Sequence, residues 1–356
     1  MTTEKYLEFL RYAVGSSTAA PAGFSPEDWE KTFKMSGKQS LLGVTFRVLD
    51  SIPRKQGPAL GIYAKWALYA EKLAGTNRQH IATAAKIYES FVSDGKQACV
   101  LKGQGTGRYY PDPLSRQCGD IDIWMGGSRE ETLAYFKGFS PKDIVYHHFD
   151  PEGFADVPVE VHFTPTWMNG AILNRRLQEW FVAQADAQFS NYDPGLGFAV
   201  PTPAFDAVFS LVHIFRHVMD EGIGFRQLMD YYYILNALPG SERPEVVRTL
   251  KSLSLGRFTA AVMFVLKEAF GLGEEKFLLP ADRRYGSFLL DEVLISGNFG
   301  RYDARNAHSR GESRVGKTLR KFRRQMRFFG ICPREVVSAP FFKLWQYLWR
   351  KRNNYL

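Results

Sequence analysis

Three features point to an α+β chain. Apolar residues recur at helical spacing before residue 95, do so again from about 173 to 290, and give way between them to short runs with strand character.

The first helical stretch has a clear start at Ser25-Pro26-Glu27-Asp28. Ser25 can cap, Pro26 suits the first turn, and the acids favour the positive helix end. From about Ala59 to Ser93, Leu60, Ala64, Leu68, Leu73, Ile81, Ile87 and Phe91 keep helical spacing, with Gly75 and Asn77 as expected interruptions and Asp94-Gly95 as the stop. Ala98-Cys99-Val100-Leu101 then reads as a buried strand. It runs into a glycine-rich turn, Lys102-Gly103-Gln104-Gly105-Thr106-Gly107-Arg108, and an irregular loop over 110–116. A strand is expected over 119–125, a helix over 128–136 capped by Ser128, and an antiparallel pair over 143–149 and 157–163. Pro203 opens a helix carrying Phe205, Val208, Phe209, Val212, Phe215 and Val218. A further helix is expected over 225–238, ended by Pro239-Gly240. These changes of pattern divide the chain into an N-terminal helical region (1–95), a strand-bearing core (96–170), a helical domain (171–290) and a basic C-terminal helical tail (291–356).

With 356 residues there is room for two domains of roughly 150 each. A 45% hydrophobic and 15% aromatic content excludes a disordered chain. Net charge is +9, which favours polyanionic partners without choosing among nucleotides, RNA and anionic lipid. Cys99, Cys118 and Cys332 are odd in number and widely spaced, so neither a disulfide framework nor a zinc knuckle is expected, and a reducing cytoplasm fits. The N-terminus lacks a signal-peptide pattern, and no run of about 18 apolar residues predicts a transmembrane segment.

Chemistry concentrates on two strands. Asp120 and Asp122, in Gly119-Asp120-Ile121-Asp122-Ile123, point to one face because strand residues two apart share a side. Glu160 lies between Val159 and Val161, and His162 shares its face. Three acids converging there would repel one another unless cations neutralised them, and oxygen donors suit Mg²⁺. Two such ions, Mg²⁺ or Mn²⁺, would lie roughly 3.5–4 Å apart. Gly103 and Gly105 would let backbone approach a phosphate, with Lys102, Thr106 and Arg116 beside it. Arg108 at the third glycine position of Gly-x-Gly-x-x-Gly makes a dinucleotide fingerprint a poor match.

Plainer readings stand beside these. The aspartates could cap a turn or pair with Arg116, Glu160 could be a solvated edge residue, and the glycines could make only a turn. His213 and His217 lie one helical turn apart, and polar packing at a helix contact competes with metal binding. Arg226 and Asp230 have the spacing of a helix-surface pair, or they brace a nucleotide site. Residues 301–328 are rich in Arg and Lys, with Gly311 and Gly316 predicting a mobile loop in the first half. That tail could be solvated, bind nucleic-acid phosphates, or rest on an anionic membrane with Trp345, Tyr347 and Trp349.

Leu101-Lys102-Gly103, then Arg116, then Gly119-Asp120-Ile121-Asp122-Ile123 resembles the signature of the DNA polymerase β nucleotidyltransferase superfamily. It is more narrowly similar to an uncharacterised bacterial nucleotidyltransferase family, and abortive-infection-type nucleotidyltransferase toxins share the pattern. Val159-Glu160-Val161-His162 matches the third-acid strand, and weaker similarity reaches His213, His217, Arg226 and Asp230. The resemblance implies a small mixed sheet as nucleotidyltransferase core over 96–170, with flanking helices and helical additions. It implies transfer of an NMP from an NTP, with Mg²⁺, to an acceptor that the sequence leaves open: a small molecule, a protein or RNA. Gln104 stands where the superfamily usually has a small residue. A non-catalytic nucleotide- or RNA-binding protein of the same fold is therefore the alternative.

Overall fold

A computed structural model describes residues 1–306 and 314–355. Its first four helices are α1 (Thr3–Val14), α2 (Pro26–Lys38), α3 (Leu42–Phe46) and α4 (Leu60–Ser93). Ser25 and Asp28 form a reciprocal capping box at α2, each side chain accepting from the other's backbone N–H at 3.1 Å. Helix α4 is continuous, contrary to the expected break at Gly75 and Asn77. Asn77 is buried, and its Nδ2 donates to the carbonyls of Leu114 (2.7 Å) and Arg116 (2.8 Å). A residue that reads as a helix breaker thus holds the loop entering the acidic strand.

The strand-bearing segment contains β1 (Ala98–Leu101), α5 (Gly103–Gly107), β2 (Ile121–Met125), α6 (Arg129–Tyr135), β3 (Pro141–Lys142), β4 (His148–Pro151) and β5 (Val159–His162). The sheet order is β1-β2-β5-β4-β3. Only β2 and β5 pair in parallel, so the sheet is mixed and the fold is α+β. The expected strand over 143–149 is shifted, with regular pairing starting at His148. The glycine turn is itself a short helix, α5.

The sheet's two faces differ in chemistry. Ile121, Ile123, Val159 and Val161 point to one side, into a core with Ile87, Phe91, Phe136 and Phe149. Each fully buried side chain of this kind contributes about 1.5–3 kcal/mol. Asp122, Trp124, Glu160 and His162 take the other side by the two-residue alternation. Trp124 packs there against Phe189 and Phe205, with ring centroids 4.7 and 5.7 Å apart.

That second face is covered by the helical half. It comprises α7 (Ala171–Phe189), the hairpin β6 (Tyr192–Asp193) and β7 (Phe198–Ala199), α8 (Pro203–Asp220), α9 (Phe225–Ala237), α10 (Arg243–Ser252), α11 (Gly256–Phe270) and α12 (Arg283–Ser296). Helices α8, α9 and α11 share one core with α1 through Tyr6, Leu10, Phe215, Phe225, Val262 and Leu266.

The tail carries α13 (Arg314–Met326) and α14 (Pro333–Arg352). The loop expected around Gly311 lies outside the described residues, whereas Gly316 lies within α13. Part of the basic charge is structural. Arg324 is buried against Asp303 and the Val218 carbonyl, and Arg327 pairs with Glu292. Phe341 is exposed and Trp345 partly so, while Trp349 stacks under the Arg129 guanidinium at 4.6 Å. Among the described residues no helix is long and apolar enough to cross a membrane.

Candidate active site

Strand register assembles the site. Asp122 lies opposite Leu101 on β1 and opposite Glu160 on β5. Because they are direct cross-strand partners, Asp122 and Glu160 project from the same face at the same level. Asp120 sits one residue before β2 and lines the same cavity, of about 320 Å³, between the sheet and helices α8 and α9. Asp122, Glu160 and His162 each offer one ligand atom, and these three atoms lie within 4.8 Å of one another. Asp120 is not part of that group, but its charge is felt there.

The electrostatics follow from this crowding. The charge of Asp122, then burial, then the charge of Glu160 push the Asp120 carboxyl up to about 7. Burial opposes ionisation of Asp122, yet Lys102 and the hydrogen bond from His162 hold it below the usual range. Lys102 Nζ lies 2.7 Å from Asp122 Oδ1, and His162 Nε2 lies 2.9 Å from the same atom. Burial also opposes charge on Glu160. His162, His148 and Lys102 outweigh it and hold that carboxyl below the usual range. His162 is raised despite burial because Asp122 and Glu160 accept from it. With Asp120 held back from ionising, Lys102 and His162 face the charges of Asp122 and Glu160. A divalent cation such as Mg²⁺, bound among these oxygens, would favour the ionised form of Asp120.

Lys102 follows β1 directly, with φ 46° and ψ −146°. That backbone region is essentially glycine territory, so a lysine there is strained. Gly103 follows at φ +37°. Lys102, Gly103 and Thr106 border the cavity. Gly105 does not. A Cβ there would come within 2.8 Å of the Val100 carbonyl oxygen, so its small size serves the packing of α5 on β1.

Arg116 lines the cavity, but its fork is taken. Nε and Nη2 donate to the two Asp230 oxygens at 2.7 and 2.8 Å, and Tyr110 Oη donates to the same carboxylate at 2.6 Å. Asp230 is therefore a partner of the loop before β2 rather than of Arg226 one turn away. Arg226 is buried over the Phe299 ring, with Nη1 donating to the Gln117 carbonyl at 3.3 Å. His213 and His217 face the cavity, their Nε2 atoms 2.9 Å apart, and His217 Nδ1 lies 2.9 Å from Glu221.

Sequence reasoning did not single out Arg216. It is buried on α8, lines the cavity, and pairs with Asp220 at 2.6 Å. Its signal was present as the one cation within the apolar run from Phe205 to Val218. His148, within the segment expected as a strand over 143–149, has its Nδ1 3.4 Å from Glu160 Oε2.

Comparison with curated proteins finds no match. A family model described as an uncharacterised nucleotidyltransferase matches residues 25–271, from the cap of α2 to the end of α11. That span holds the whole sheet, the acidic cluster and the cavity-lining faces of α8 and α9, and it covers well over half of the chain. The protein therefore belongs to the uncharacterised nucleotidyltransferase family.

Proposed function

We propose that the protein is a metal-dependent nucleotidyltransferase of the DNA polymerase β type, moving an NMP from an NTP to an acceptor hydroxyl. The acceptor oxygen loses its proton to solvent and forms a bond to the α-phosphorus, the bond from that phosphorus to the β-phosphate bridging oxygen breaks, and pyrophosphate leaves. The observation that carries this reading is the parallel register of Asp122 with Glu160, with Asp120 in the same cavity. Asp120, Asp122 and Glu160 would hold the divalent ions, Mg²⁺ or Mn²⁺. When bound, these supply charge neutralisation for the triphosphate and a more acidic acceptor hydroxyl.

The chain's own groups do the rest. Lys102, at the cavity edge beside Asp122, would offer its ammonium to the polyphosphate. Arg226 and Arg216 add buried positive charge on the opposite wall. Arg116 acts indirectly, fixing the approach to β2 through Asp230. Positioning and charge supply most of the acceleration in phosphoryl transfer.

The test is incubation with each α-³²P-labelled NTP, Mg²⁺ and cell extract, followed by identification of the labelled molecule. Wild type should label an acceptor and release pyrophosphate. Asp122→Asn should lose at least about 10³-fold in rate with an unchanged circular-dichroism spectrum. Pyrophosphate release at the wild-type rate by that variant would remove Asp122 from the chemistry. NTP binding heat with no labelled product in any extract would favour the non-catalytic binding role.

A further inference from the structure

Beside the carboxylates lies a cluster of a different chemical kind. His147, His148 and His162 bring their rings together, with centroids 4.2 Å apart for 147 and 148, 5.3 Å for 148 and 162, and 5.5 Å for 147 and 162. The cause is register: His148 on β4 lies directly opposite His162 on β5. His147 Nε2 and His148 Nδ1 are 2.9 Å apart. Each ring offers one nitrogen, and the three lie within 4.8 Å of one another.

Three nitrogens bound to one ion at about 2.0–2.1 Å stand roughly 3–3.5 Å from each other. His147 Nε2 and His148 Nδ1 already stand that close, and the whole set lies within 4.8 Å, so the widest pair would draw in by about 1–2 Å on binding. His147 and His148 line the cavity, so a fourth coordination position would open onto it. Behind them, Trp167 packs on His147 at 4.1 Å and limits ring movement. Glu160 Oε2, 3.4 Å from His148 Nδ1 and 3.5 Å from His162 Nε2, is the next available donor. Imidazole is a poor ligand for Mg²⁺ and a good one for late first-row ions.

We propose that His147, His148 and His162 hold one nitrogen-ligated transition-metal ion of the Zn²⁺ or Co²⁺ kind, next to the oxygen position of Asp120, Asp122 and Glu160. His162 is shared with the carboxylates, its Nε2 lying 2.9 Å from Asp122 Oδ1, while His147 and His148 belong to the nitrogen site; that site would exist even if the protein transferred no nucleotide.

The probe is Co²⁺ added to chelator-stripped full-length protein, followed by visible absorption, with Zn²⁺ measured in parallel by equilibrium dialysis. Wild type should show the intense bands of four-coordinate, nitrogen-ligated cobalt, saturating at one equivalent, whatever further cobalt the carboxylates take up. The double variant His147→Ala/His148→Ala should lose those bands and at least about 100-fold in affinity. Asp120→Asn, which damages the carboxylate site, should keep both. Only the weak bands of oxygen-bound, six-coordinate cobalt in wild type would overturn the proposal. So would unchanged bands in a folded double variant, or loss of the bands in Asp120→Asn alone. Should the double variant not fold, pulsed electron paramagnetic resonance of Cu²⁺ in wild type decides. Imidazole nitrogen modulation supports the site and its absence refutes it.

Discussion

Arg116 and Asp230 meet fork to fork across 114 residues, Nε to Oδ1 at 2.7 Å and Nη2 to Oδ2 at 2.8 Å. The pair is largely buried and ties the loop entering β2 to helix α9. Two parallel charge-assisted bonds fix orientation as well as distance. Removing one partner strands the other charge away from water. Arg116→Ala should therefore lose about 3–5 kcal/mol of stability, and Arg116→Lys should recover less than half, because an ammonium cannot fill both bonds. Urea unfolding measures this, and a loss under about 1 kcal/mol for Arg116→Ala would mean the pair is not holding the loop.

Lys102 tests backbone strain beside a charge. Its φ of 46° with ψ of −146° is held between β1 and α5, while its Nζ reaches Asp122 at 2.7 Å. Lys102→Gly and Lys102→Ala both delete the ammonium, but only glycine relaxes the backbone. The glycine variant should be more stable than the alanine variant by about 1–3 kcal/mol. Equal stability of the two would show that the chain is not strained at this point.

Much of this arrangement could be read from the sequence, and the failures have physical causes. The two-residue period of a strand put Glu160 with His162, and the β2–β5 register sets that pair beside Asp122. Trp124 shares the Asp122 face for the same reason, and packs where the acids end. The sequence also read Asn77 as an interruption of α4, because propensity weighs local backbone bonds and not a loop 37 residues away. Arg116 read as a phosphate ligand because its partner Asp230 comes from a distant helix. The antiparallel pairing that carries His147, His148 and His162 was legible, but not that His148 lies opposite His162, because that register depends on where β4 begins.

Gly105 separates packing from ligand approach. Its φ is not in the left-handed region, so conformational freedom is not the reason for a glycine. The reason is the Val100 carbonyl, 2.8 Å from where a Cβ would stand. Backbone on both sides cannot yield as a side chain can. Gly105→Ala should destabilise by about 1–3 kcal/mol in thermal or urea unfolding. Stability equal to wild type would leave the close approach of α5 to β1 without energetic weight.

Asp206 should give the protein a pH-dependent stability that lies away from the acidic cluster. It is fully buried near the start of α8, with Tyr109 Oη donating to Oδ2 at 3.2 Å and Arg108 Nη2 at 3.6 Å. Burial pushes its carboxyl from 3.8 up to about 7, against the pull of Arg108 and the Tyr109 hydrogen bond. A raised folded-state value means that the folded chain holds a proton the unfolded chain has released. The contribution is fully present below the unfolded value near 4 and is lost as pH rises through about 7. Wild type should lose roughly 2–4 kcal/mol relative to Asp206→Asn between pH 4 and pH 8. Urea unfolding of both proteins across that range isolates the carboxyl, since every other titrating group is common to the two. A constant difference between them would show that Asp206 keeps one protonation state throughout, with Arg108 rather than burial governing its charge.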